Sequence, residues 1–127
     1  MTTHPFVIEI NGIADFEERV LKASAHTPIL VDFWADWCGP CLFLDPVLKA
    51  VVADYQGNVL LAKLDTEEDE NMKLAGRNQV RGFPTVLLIE NGQEVARFSS
   101  ARNKTFVREF IDTNSQLLAT FKASIHP

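Results

Sequence analysis

Two cysteines stand within four residues of each other, in the stretch "WADWCGPC" (34–41), and the 127-residue chain has no others. Cys38 and Cys41 are one helical turn apart if the segment is helical, so each sulfur can reach the other. Such a pair could be half of a metal clip, a staple or a redox couple. As half of a zinc site it lacks partners, since structural zinc takes four ligands and His4, His26 and His126 lie at no ligand spacing. As a staple it would close a tiny loop and restrain almost none of the unfolded ensemble. The redox reading is the one left with a purpose: one thiolate attacks a foreign disulfide and the other displaces it from the mixed disulfide. Gly39 puts no side chain over the sulfurs, and Pro40 is tolerated in a first helical turn. A third candidate, Asp32, is an acid inside an apolar run, which is costly unless it is paired or protonated.

The elements that must position these groups follow from hydrophobic spacing. "PILVDFWA" (28–35) is a nearly continuous apolar run, the mark of a strand covered on both faces. A helix follows it with Leu44, Val47, Leu48, Val51 and Tyr55 along one face, and Pro46 inside it is expected to kink it. Cys38 then falls at the junction of strand and helix, where unpaired N–H groups and the positive end of the helix dipole favour a thiolate. In open α/β sheets, chemistry gathers at these C-terminal strand ends.

Around this unit, "FVIEI" (6–10) is a first strand, and Ile13, Phe16, Val20 and Leu21 recur at helical spacing after a cap at Asn11 or Gly12. "NVLLAKLD" (58–65) is a third strand and 66–77 a short helix, with Thr66 and Asp69 at capping-box spacing. "TVLLIE" (85–90) and "QEVARF" (93–98) form a hairpin across Asn91-Gly92. A last helix begins near Asn103 with Phe106, Phe110 and Ile111 inward. The order βαβαβαββα predicts an α/β fold: a mixed sheet between two helix layers, parallel where helices connect the early strands.

Bulk properties fit one domain that needs no metal or disulfide to fold. The net charge of −5, with acids and bases mixed, argues against nucleic acid or an anionic membrane as the main partner. No apolar run reaches the roughly 18 residues of a membrane span, and "MTTHPFVIEI" lacks the basic and apolar regions of a secretory signal. Two closely spaced cysteines suit a reducing compartment, and the cytoplasm is the expected location.

"VDFWADWCGPC" resembles the active-site segment of the thioredoxin family, and "RGFPT" (81–85) resembles its cis-proline loop. "AKLD" and the Asn-Gly hairpin also fall at family-like places, so the similarity spans roughly residues 5–115. It implies a thioredoxin fold, a five-stranded mixed sheet flanked by about four helices, with a domain over 1–116 and a tail over 117–127 that extends the last helix or ends disordered. It implies that Cys38 attacks, that Cys41 resolves, and that the pair cycles between dithiol and disulfide. Asp32 matches a buried carboxylate that accepts the proton of Cys41, its pKa raised by desolvation, and Lys63 matches a lysine near it. Phe83-Pro84 matches a cis peptide that offers backbone to an extended substrate. Trp34 is expected to pack beneath the active-site loop and Trp37 to serve as a partly exposed substrate platform. The activity implied is reduction of protein disulfides by a monomer that needs no cofactor and receives electrons from a thioredoxin reductase.

Three departures from the family accompany the match. Leu42 stands where a basic residue is usual, so "CLFL" is expected to expose apolar surface beside the thiols. Ser100 stands at the place of a glycine that lets partners approach. The tail adds Leu117, Leu118 and Phe121 at helical spacing. The apolar "CLFL" is also similar to thioredoxin domains of chaperedoxin type. That similarity offers an alternative, a binding or holdase module for unfolded clients, although the chain has no room for the helical repeats that usually follow.

Overall fold

The computed structural model describes residues 4–125. Five strands form one sheet: β1 (Val7–Glu9), β2 (Ile29–Trp34), β3 (Leu60–Asp65), β4 (Thr85–Glu90) and β5 (Gln93–Ser99). Their order across the sheet is β1-β3-β2-β4-β5, with β2 at the centre. β3 runs parallel to both β1 and β2, whereas β4 is antiparallel to β2 and to β5. The helix between β3 and β4 therefore does not return the chain in parallel, and β4 enters the sheet from the opposite end.

Helices cover both faces because the strand side chains alternate between them. Leu30, Leu61, Val86 and Leu88 face α2 (Gly39–Asp54), α4 (Lys104–Asn114) and α5 (Gln116–Ile125), meeting Leu44, Leu48, Val51, Val107, Ile111 and Leu118. Ile29, Val31, Phe33, Leu64 and Leu87 face α1 (Ile13–Phe16), its π-helical continuation over Glu17–Lys22, and α3 (Asp69–Arg77). Asp32 and Lys63 lie on the α2 face and are register partners on β2 and β3.

Local signals act as expected at several element ends. Asn91 and Gly92 both take positive φ, as a two-residue hairpin turn requires. Asn103 caps α4 by accepting a hydrogen bond from the Phe106 N–H at 2.8 Å. Gly12 is the N-cap of α1 at φ 96, but the helix-start donors are satisfied from α3, whose Asn71 and Glu70 side chains accept from Gly12 and Ile13 N–H.

The capping box expected at Thr66 and Asp69 does not form. α3 begins at Asp69 with Glu68 as its cap residue and no side-chain cap bond. The Thr66 hydroxyl instead donates to the Trp34 carbonyl at 2.8 Å, tying the end of β3 to the end of β2 beside the cysteines. A tertiary acceptor has outcompeted the local one. Beyond α4 the chain breaks at Ser115 and resumes as α5.

Candidate active site

β2 delivers the chain to the active-site loop at Trp34, and α2 starts four residues after Ala35. Cys38 is the N-cap of α2, in extended conformation, and its sulfur accepts the Cys41 N–H at 3.2 Å. Pro40 lies in the first turn, where no N–H is needed. Cys38 and Cys41 are joined as a disulfide, with Cα atoms 5.3 Å apart. Both cysteines are buried but unequally so: Cys38 is 5% exposed and Cys41 1%. A thiolate formed at Cys38 would face the positive end of a 16-residue helix, which favours the charged form.

The antiparallel entry of β4 places a second loop against the first. Phe33 pairs with Thr85, so Pro84, which precedes β4, stands at the same sheet end as the cysteines. The Phe83-Pro84 peptide is cis. The Phe83 ring packs on the Cys38–Cys41 cluster and meets Trp37 edge to face at 6.0 Å. An open groove of about 470 Å³ follows this loop, bordered by Arg81, Phe83, Pro84, Thr85, Arg97 and Ser100. Ser100 holds φ 75, a left-handed conformation that favours glycine, and its N–H donates to the Pro84 carbonyl at 3.3 Å.

The two tryptophans divide as expected. Trp34 is half-buried against Ala35, Cys38 and Cys41. Trp37 is 70% exposed and borders the thiols as a flat apolar surface. Beside it Leu42 is 54% and Phe43 64% exposed, whereas Leu44 points into the core. The apolar surface expected from "CLFL" thus comes from its middle two residues.

Asp32 is fully buried. Its Oδ2 lies 2.5 Å from Lys63 Nζ, and its Oδ1 has no hydrogen-bond partner. Burial pushes its carboxyl above the ordinary value, and the Lys63 ammonium only partly opposes that rise. Lys63 is itself buried beneath Trp34, its Nζ 5.0 Å from the ring centroid. Burial works against its charge, but Asp32 and Asp45 outweigh burial and hold its pKa above that of a free lysine.

Asp45 is the member of this cluster that the sequence reading did not single out as a site residue. It comes 2.6 Å from Lys63 and 2.8 Å from Lys49. The available signal was its position one helical turn after Cys41, with Lys49 one turn further along the same face. Among the described residues, no group of three or more His, Cys, Asp or Glu is arranged to hold a metal ion.

A disulfide-bonded cysteine pair at a helix N-terminus, with a cis-proline loop at the same sheet end, defines a protein that exchanges disulfides. The family model described as thioredoxin matches residues 7–113. Thioredoxin from Pseudomonas aeruginosa is 44% identical over 101 residues, covering 80% of this chain and 90% of the relative. Thioredoxin from Haemophilus influenzae is 42% identical over 106 residues, covering 84% and 94%. A solved thioredoxin mutant from Halobacterium salinarum NRC-1 superposes with a TM-score of 0.74 at 29% identity, over 92% of this chain and 97% of that one. The chain belongs to the thioredoxin family, with that family's fold, and is a thiol-disulfide oxidoreductase of the protein-disulfide reductase type.

Proposed function

We propose that Cys38 is the attacking thiolate, Cys41 the resolving thiol and Asp32 the acceptor of the Cys41 proton. The Cys38 sulfur attacks one sulfur of a substrate disulfide. That S–S bond breaks, the first substrate thiolate leaves and takes a proton from solvent, and a mixed disulfide forms at Cys38. Cys41 then passes its proton to Asp32 and attacks Cys38. The Cys38–Cys41 bond forms and the second substrate thiolate departs. Two electrons have moved from the dithiol to the substrate, so the cycle draws on no bound cofactor. A thioredoxin reductase returns the electrons, and the cytoplasm is the compartment whose poise suits such a cycle.

The observation that carries these roles is the asymmetry of the pair. Cys38, the less buried of the two, sits at the cap of α2, where its sulfur accepts a backbone N–H, while Cys41 lies one turn inside. The unpartnered Asp32 Oδ1 supports the acceptor role, because a buried carboxyl in apolar surroundings is a better base than an exposed one. Trp37, Phe83 and Pro84 supply the surface on which an extended segment around the target cysteine would lie, the cis-proline loop offering main-chain groups. Gly39 faces open space: beyond its chain neighbours and its own helix backbone, a Cβ built on it would meet no atom within 4 Å.

Insulin reduction driven by dithiothreitol tests the roles. The protein should accelerate precipitation of the insulin B chain, and Cys38→Ser should remove the acceleration. Cys41→Ser should stop turnover while leaving a mixed disulfide trapped at Cys38. Equal rates with and without the protein would contradict the reading, as would trapping at Cys41.

A further inference from the structure

Lys63 divides its ammonium between two carboxylates. Nζ lies 2.5 Å from Asp32 Oδ2 and 2.6 Å from Asp45 Oδ1, and Asp45 Oδ2 lies 2.8 Å from Lys49. The row runs from the sheet interior to the helix surface, since Asp32 and Lys63 are buried whereas the Asp45 and Lys49 side chains are each 27% exposed. Asp45, Lys49 and Lys63 also line, with Cys41 and Glu9, a cavity of about 220 Å³ whose wall does not include Asp32. The resolving cysteine and the outer half of the charge row therefore face the same small volume.

An aspartate that owns a lysine outright is a poor base, because the ammonium stabilises its charged form. Two features of Asp45 weaken that hold on Asp32. It takes one of the short lysine contacts for itself, and it adds a negative charge on the far side of Nζ. Asp45 stays ionised while it does so: burial alone would raise its carboxyl, but the hydrogen bonds from Lys49 and Lys63 outweigh burial and hold it below the ordinary value. The other elements packed against Asp32 add little of the opposite sign. Glu9 on β1 contributes a further negative charge, and β4 presents the apolar Val86 as its register partner.

We propose that Asp45 is a positioning residue that keeps Asp32 an effective proton acceptor by sharing Lys63 with it. The part of this that concerns Cys41 rests on the proposed role of Asp32, whereas the effect on Asp32 itself does not. In the exchange step the proton moves from the Cys41 sulfur to an Asp32 carboxylate oxygen. Asp45 takes no part in that transfer and acts through Lys63, which lies between it and Asp32.

The test follows the Asp32 carboxyl by side-chain infrared or carbon-13 resonance across pH in the intact oxidised protein, assigned by its loss in Asp32→Asn. Asp45→Asn removes the competing charge at nearly constant shape, and the Asp32 midpoint should move down, leaving more of it ionised at neutral pH. Asp45→Glu should restore a midpoint close to that of the unmodified protein. An unchanged midpoint in Asp45→Asn would overturn the proposal. So would an upward shift, which would mean that Asp45 anchors Lys63 for Asp32 rather than drawing it away. Stopped-flow resolution of a mixed disulfide at Cys38 supplies a separate readout. Its pH profile should move with the Asp32 midpoint; a profile that ignores a moved midpoint would remove Asp32 as the proton acceptor and leave the Asp45 effect standing.

Discussion

Asp32 carries a linkage between charge and stability that follows from where it is buried. Its folded carboxyl is raised above the ordinary value of 3.8, first by desolvation, and Lys63 only partly offsets this. The folded chain therefore holds that proton more tightly than the unfolded chain. Below the ordinary value both states are protonated and nothing is lost. Between the ordinary and the raised value stability falls as pH rises, by at most about 1.4 kcal/mol per pH unit from this one group. Asp32→Asn removes the term while Lys63 keeps Asp45 as a partner. Urea unfolding at a series of pH values should show the variant gaining on the parent protein across that window and then holding a constant difference. Curves that stay parallel throughout would mean that Asp32 titrates alike in both states. At this scale the sequence was legible where one residue type is out of place. An acid inside "ILVDFW" announces a buried carboxylate. Asp45, in contrast, stands among helical residues where acids are ordinary, and only the fold brings Lys63 to it.

Among the elements, α5 depends on a side chain from the sheet. Glu90, the last residue of β4, is buried and accepts hydrogen bonds from the Ser115 hydroxyl and from the N–H groups of Gln116 at 2.9 Å and Leu117 at 3.2 Å. Ser115 in turn accepts the Leu118 N–H at 3.1 Å. Free donors at a helix start need such acceptors, and a carboxylate also suits the positive end of the dipole. Glu90→Ala should cost about 1–3 kcal/mol, the range for leaving buried polar groups unsatisfied. Amide exchange should quicken in α5 while β2 and β4 keep their protection. Exchange in α5 as slow as in the parent protein would show that Leu118 and its neighbours hold the helix without Glu90. The sequence carried the local part of this architecture: Asn91-Gly92 sets its own turn, and Asn103 caps its own helix. It did not carry the contacts between distant segments. Glu90 and Ser115 are 25 residues apart, and Thr66 leaves its local role for a carbonyl 32 residues away.

At the level of the whole molecule, the site exists because strand order and strand direction agree. β2 lies at the centre and ends at the active-site loop, and β4 runs against it and begins at Thr85, directly after Pro84. Two segments more than 40 residues apart in sequence thus share one sheet end. The helix-strand alternation made the two covering layers legible, because the central strand over 28–35 is apolar on both faces. It did not give the antiparallel entry of β4, since a connecting helix usually returns the chain in parallel. The pairing of Pro84 with the cysteines was accessible only through the resemblance of "WCGPC" and "RGFPT" to one family. The same arrangement makes the two thiols unequal, with one at the helix cap and the other a turn inside. Timed alkylation of the fully reduced protein with iodoacetamide, read by peptide mass, tests that inequality most directly. Cys38 should be modified first, with a midpoint below the free-thiol value of about 8.5, while Cys41 reacts far more slowly. Equal rates at the two sulfurs, or earlier modification of Cys41, would contradict the assignment of Cys38 as the nucleophile.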